Sequence, residues 1–167
     1  MKKIKGYRQN NSTHMAIVNN GKIISHPTLS ETQIFEINQQ IDNLMKQLNI
    51  VEKRYRYSET GWDKLCLESS ITLNISYFHE ELSRIYESIG KPLDALNALV
   101  TASQSLFEGH CYILNSLMGK GEPHETRLYE LDERCKKLCG RHPELWDKYR
   151  KSNIHYLLEE QHLWPCE

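Results

Sequence analysis

The chain has 167 residues, of which 39% are hydrophobic and 26% charged, so it suits one globular domain and is neither disordered nor fibrous. No apolar run approaches the roughly 20 residues of a transmembrane helix, and no apolar segment of a signal peptide follows the basic N-terminal residues, which predicts a cytoplasmic protein without a membrane partner. The net charge of −1 conceals an asymmetry, because residues 1–30 carry +5 and residues 31–167 carry −6.

Residues 1–29 are predicted to form a basic N-terminal arm. Within it, Asn20-Gly21 lies between two β-branched pairs, which predicts a β-hairpin over residues 17–24 with a type I′ turn. An isolated hairpin is marginally stable in water, so this one is either docked on the rest of the chain or disordered. The arm also supplies candidate nucleic-acid contacts, which are Lys2, Lys3, Lys5 and Arg8.

Residues 30–161 are predicted to form the helical domain, with residues 162–167 as a tail. The first helix is expected to begin with Ser30 as its N-cap and Gln33 as the second half of a capping box, and to run to about residue 57. Its apolar residues recur with alternating gaps of three and four and face either the core or a second copy of the chain, as in a homodimer. They are Ile34, Ile37, Ile41, Leu44, Leu48 and Val51.

The later helices are delimited by glycine and proline. A second helix is predicted over residues 62–89, with Gly90 as its C-terminal stop and Pro92 at the start of the next. The third keeps its apolar phase past Gly109, which favours one helix to about residue 118. A fourth is expected to end at Gly140, with a last one opening at Pro143. The fold class predicted is all-α, an antiparallel bundle of four to six helices.

Residues 79–106 resemble one helix pair of the tetratricopeptide repeat family. The matching positions are Leu82, Tyr86, Gly90, Ala95, Leu99 and Ala102. The chain contains no second copy at the 34-residue offset of that repeat, and a generic helical hairpin also explains the small residues. The resemblance implies a concave groove that binds a peptide or a partner helix. Tyr77, Tyr86 and Phe107 are the candidate partner-binding residues, and core packing is the alternative explanation for them.

A second resemblance rests on Arg150 and His155, which form an Arg-x4-His motif in the last predicted helix. This motif is similar to the signature of the HEPN ribonucleases, which are all-α bundles. The resemblance implies a metal-independent endoribonuclease in which Arg150 neutralises a phosphate and His155 transfers the proton during attack by a 2′-hydroxyl. The alternative is that Arg150 is a solvated charge and His155 an ordinary helix residue.

The five cysteines include no Cys-x-x-Cys pair, and reduced thiols are expected. Cys135, Cys139 and His142 have a spacing that suits zinc, but Cys135 also lies on an apolar stripe, where a small buried residue explains it. We therefore expect no cofactor.

Three functions remain open from the sequence. The first is a non-enzymatic interaction module (adaptor, small chaperone or immunity-type protein) that binds another protein or a peptide. The alternatives are the HEPN-like ribonuclease and a regulator that binds RNA or DNA through the arm.

Overall fold

The computed structural model describes the backbone of residues 17–19, 22–25, 28–54, 61–117, 122–152 and 154, and the side chains of residues 28–54, 63–109, 126–152 and 154. In chain order the elements are β1 (Ile17–Asn19), β2 (Lys22–Ser25), α1 (Leu29–Arg54), α2 (Gly61–Ser88), α3 (Pro92–Leu117), α4 (Glu122–Arg141), a 3-10 turn (Pro143–Leu145) and α5 (Trp146–Arg150). The predicted all-α helical bundle is confirmed. None of the helices described is both long enough and apolar enough to cross a membrane.

The two short strands precede the bundle and pair antiparallel, with Val18 opposite Ile23 and Asn19 opposite Lys22. The residues of the predicted turn, Asn20 and Gly21, lie outside the described part of the chain, as do residues 1–16 with the four basic candidates for nucleic-acid binding.

The N-cap of the first helix lies two residues earlier than predicted, because Thr28 and not Ser30 caps the helix. The Thr28 backbone N–H donates to Glu31 Oε2 at 2.7 Å, and the Glu31 N–H donates to Thr28 Oγ1 at 3.2 Å, which is a reciprocal capping box. The hydrogen bond from the Thr28 backbone lowers the pKa of the Glu31 carboxyl. A carboxylate is a stronger acceptor near a helix N-terminus than the Gln33 amide, which is the physical reason for the earlier start.

The helices pack in chain order, α1 on α2, α2 on α3 and α3 on α4. The apolar stripe of α1 packs against α2, so it faces the chain's own core, and Ile37 and Ile41 are its buried members. A second apolar cluster joins α3, α4 and α5 and includes Tyr149 and Ile154. Tyr86 packs against both clusters and so links them.

A glycine ends α2, as predicted. Gly90 has a φ of 70°, and the Lys91 N–H donates to the Tyr86 carbonyl at 2.8 Å while the Gly90 N–H donates to the Glu87 carbonyl at 3.2 Å. This pair of hydrogen bonds is the Schellman arrangement, in which the left-handed residue favours glycine. Because α3 begins at Pro92, the turn is short and makes α2 and α3 antiparallel neighbours.

Small buried residues recur on α2 and on α3, and Ser76, Ala102 and Gly109 lie where the two helices meet. On each helix they recur every seven residues, and they are buried: Ser69, Ser76 and Ser83 on α2 and Ala95, Ala102 and Gly109 on α3. The Ser76 hydroxyl donates to the Ala102 carbonyl at 2.8 Å, which shows how closely the two backbones approach. The register of the contact runs antiparallel, because Gly109 in turn lies beside Thr72.

Gly109 and Gly140 have opposite roles, which a pair of alanine substitutions tests. A methyl group on Gly109 would lie 2.7 Å from Thr72 Oγ1 and 3.1 Å from Leu73 Cγ, whereas one on Gly140 meets nothing within 4 Å. Overpacking costs about 1–3 kcal/mol and alanine gains about 1 kcal/mol in helix propensity. We therefore expect Gly109→Ala to destabilise the protein by about 1 kcal/mol and Gly140→Ala to stabilise it by up to about 1 kcal/mol.

Urea unfolding of both variants measures this difference. Equal shifts of the two midpoints would show that α2 and α3 do not approach closely at Gly109. The same comparison tests the boundary of α4, because α4 runs through Gly140 to Arg141 instead of ending at Gly140 as the sequence predicts. Gly140 lacks the positive φ that marks Gly90, so it does not act as a helix stop.

Candidate interaction surface

Four arginines and two glutamates form a charged contact between α2 and α4, which we call the arginine seam. Its members are Glu80, Arg84 and Glu87 on α2 and Arg127, Arg134 and Arg141 on α4. The three α4 arginines recur every seven residues, as do the two glutamates of α2, so each set lies along one side of its helix. Because Glu80 meets Arg127 and Arg134 while Glu87 meets Arg134 and Arg141, the two helices run parallel.

Glu80 lies at the centre of the seam and contacts three arginines. Arg127 donates to its Oε1 through both Nε, at 2.9 Å, and Nη2, while Arg84 and Arg134 donate to Oε2 at 3.3 and 3.4 Å. The Glu80 side chain is only 11% exposed and that of Arg127 only 15%. Charges so far removed from water are stable only when paired, so this part of the seam is a fixed structural element.

An aromatic ring extends the seam on the α2 side. The guanidinium carbon of Arg127 lies 3.4 Å from the centre of the Tyr77 ring, which is a cation–π contact. Tyr77 is nevertheless 57% exposed. The ring therefore offers an apolar surface beside a cation whose position Glu80 already fixes.

The outer end of the seam is more open. Arg141 Nη2 lies 2.6 Å from Glu87 Oε2, and Arg134 Nη2 lies 3.8 Å from Glu87 Oε1. Arg134 also donates to the Ser83 hydroxyl at 2.7 Å. The side chains of Arg84 and Arg141 are 64% and 60% exposed. Over the whole seam, four cations face two carboxylates, which leaves a local excess of two positive charges in a body whose net charge is negative.

The three residues predicted to bind a partner do not share one face. Tyr77 is exposed, whereas Tyr86 and Phe107 are half-buried and pack against the core. Tyr77 and Tyr86 are nine residues apart, about two and a half helical turns, which places them on opposite sides of α2. Only Tyr77 of the three therefore belongs to the seam.

The candidate ribonuclease pair is described only in part. Arg150 is exposed at the end of α5, and His155 lies outside the described residues. Their proposed pairing therefore stays a prediction.

Two of the three candidate zinc ligands lie in the core of the bundle, whereas the His142 side chain is partly exposed. Cys135 and Cys139 are buried free thiols on α4, and the His142 ring lies 3.6 Å from the Glu144 carboxylate. Burial and the nearby Asp132 carboxylate raise the pKa of the Cys135 thiol to about 12, which disfavours the thiolate that a metal needs. Within the part of the chain that the structure describes, no three histidine, cysteine or acidic side chains form a group able to hold a metal ion.

A second polar cluster fixes α5 to α4. The buried Tyr149 hydroxyl donates to Asp132 Oδ1, and Lys136 Nζ lies 2.7 Å from Asp132 Oδ2. Trp146 packs edge-on against the Tyr149 ring, with the ring centres 5.6 Å apart. Burial, and then Asp132, raise the pKa of the Tyr149 hydroxyl, so this group stays protonated. Asp132 and Tyr149 are buried in the core, whereas the Lys136 side chain reaches the surface.

The sequence contains a pattern for only the α4 side of the seam. The seven-residue recurrence of arginine on α4 is visible in the sequence, but its partner Glu80 is 47 residues away from Arg127 and 54 from Arg134.

No family model matches this chain, and neither does any curated protein or any solved structure.

Proposed function

We propose that this protein is a non-enzymatic interaction module that binds an acidic segment of a partner protein on the arginine seam. The observation that carries the proposal is the excess of guanidinium groups over carboxylates in the seam, of which Arg84 and Arg141 are well exposed. Arginine and tyrosine are among the residue types most enriched at the centres of protein interfaces, and the seam presents both side by side.

Preorganisation supports the same proposal. Glu80 holds Arg127 and Arg134 in place, so an incoming acidic side chain does not have to order them. The more exposed Arg84 and Arg141 remain available for direct contact. Guanidinium groups recognise carboxylates through paired hydrogen bonds, which suits an Asp- or Glu-rich peptide.

The charge pattern favours a protein partner over nucleic acid. Affinity for a phosphate backbone grows with the number of cations that neutralise phosphates, whereas the seam places a glutamate between successive arginines. Residues 31–167 carry a net charge of −6, which repels a polyanion at long range. A short acidic peptide avoids much of this repulsion because it contacts only the local positive surface.

A binding measurement with paired variants tests the proposal. The probe is a fluorescein-labelled poly-glutamate peptide, followed by anisotropy at low and at physiological ionic strength. We expect the double variant Arg84→Gln/Arg141→Gln to bind about tenfold more weakly, because each lost charge contact across an interface costs affinity. Lys46→Gln/Lys148→Gln is the matched control, since both lysines are exposed on other helices and the net charge changes equally.

Two results would overturn the proposal. One is an equal loss of affinity in the lysine control, which would mean that the peptide senses only the overall charge. The other is the absence of peptide binding to the wild-type protein. Tighter binding of a single-stranded oligonucleotide than of the peptide would instead favour the nucleic-acid alternative.

A further inference from the structure

We infer that Glu87 occupies a carboxylate-binding site formed by Arg134 and Arg141, and that an acidic side chain of the partner displaces it. This inference rests on the proposed function and adds to it a defined subsite and an internal competitor. Glu87 engages both arginines at once, because Arg141 lies next to its Oε2 and Arg134 next to its Oε1. Two guanidinium groups on the two oxygens of one carboxylate are the arrangement that an external aspartate or glutamate would require.

Glu87 is held less firmly than Glu80. Its side chain is 25% exposed against 11% for Glu80, and its contact with Arg134 is long, at 3.8 Å. Glu87 also lies in the last turn of α2, where the free carbonyl groups disfavour a negative charge. Its release therefore relieves one unfavourable interaction, and it breaks one long contact with Arg134 and one short contact with an Arg141 side chain that water already reaches.

The site remains formed when Glu87 leaves. Arg134 keeps its contacts with Ser83 Oγ, at 2.7 Å, and with Glu80 Oε2, at 3.4 Å. Arg141 ends α4, where a cation is favourable, and its side chain is 60% exposed. The incoming carboxylate therefore meets the fixed guanidinium of Arg134 and the more adjustable one of Arg141.

An internal competitor lowers the apparent affinity by the fraction of molecules in which the site is open. Removing it should therefore tighten binding of the same acidic probe. We expect Glu87→Gln to bind the poly-glutamate peptide about threefold or more tightly than the wild type, because the site no longer has to open. Glu81→Gln is the control, since Glu81 is an exposed glutamate of the same helix and its loss changes the net charge equally.

A double-variant cycle separates this mechanism from a general charge effect. When Arg141→Gln is already present, Glu87→Gln should have little further effect, because the site that Glu87 occupies is incomplete. Circular dichroism and urea unfolding confirm that each variant is folded before affinities are compared.

The outcomes distinguish this inference from the proposed function. If the wild type binds and Glu87→Gln binds no more tightly, the inference is wrong and the proposed function stands. Equal tightening by Glu81→Gln, or full tightening in the Arg141→Gln background, also overturns the inference. If Glu87→Gln binds the peptide and the wild type does not, the result supports the inference and contradicts the proposed function of the wild type. If neither protein binds the peptide, both the inference and the proposed function are wrong.

Discussion

Replacing Glu80 by glutamine is expected to lower the free energy of unfolding by about 2–4 kcal/mol, because breaking a buried ion pair leaves uncompensated charge in a poorly hydrated site. Glutamine has almost the same shape, so packing is retained while the negative charge is lost. Arg127, at 15% exposure, and Arg134 then lack the carboxylate that now holds them. Urea unfolding at neutral pH measures the change.

The control for this prediction is the neighbouring residue. Glu81→Gln removes the same charge from an exposed position and should change stability by less than about 0.5 kcal/mol. The double variant Glu80→Gln/Arg127→Gln should recover part of the loss, since it removes the partner cation as well. If Glu80→Gln and Glu81→Gln behaved alike, the seam would be an ordinary surface ion pair and its arginines would not be preorganised.

Replacing Tyr149 by phenylalanine is expected to cost about 2 kcal/mol at neutral pH, because a buried carboxylate loses a hydrogen-bond donor. The ring and its contact with Trp146 remain, so the effect isolates the hydroxyl that donates to Asp132. Tyr77→Phe is the control, since Tyr77 is exposed and should lose less than about 0.5 kcal/mol. Equal losses in the two variants would contradict the role of Asp132.

The pH dependence gives the Tyr149 prediction a second readout. The pKa of Tyr149 is raised in the folded state, so above about pH 10 the unfolded chain loses this proton first. The stability contributed by the protonated hydroxyl is present below that pH and is lost as the pH rises. Phenylalanine lacks the group, so the stability difference between wild type and Tyr149→Phe should shrink above about pH 10.

The helices and most of their ends follow from local sequence. Apolar residues at alternating gaps of three and four specify α1, and Gly90 with Pro92 specifies the turn between α2 and α3. These signals are readable because capping, φ preference and periodicity involve residues only a few positions apart. The N-cap nevertheless lies at Thr28 and not at the predicted Ser30, because two overlapping capping boxes compete and the charged Glu31 makes the stronger one.

Tertiary structure alone decided which side chains form a surface. The sequence predicts that a helix continues past Gly109 and that another ends at Gly140, yet both glycines lie within helices and only Gly109 lies against a neighbouring helix. Tyr77 and Tyr86 look alike too, but they lie on opposite sides of α2, one at the surface and one between two apolar clusters.

By itself, the sequence determined the fold class, the succession of helices and the basic character of the N-terminal segment. The arginine seam depends on the tertiary structure. Glu80 is 47 residues from Arg127 and 54 from Arg134, and they meet only because α3 folds back and brings α4 beside α2. Periodicity places the arginines on one side of α4, but the opposing charges become visible only once the helices have packed. The physical reason is that helix formation depends on neighbours in the chain, whereas charge pairing and burial depend on neighbours in space.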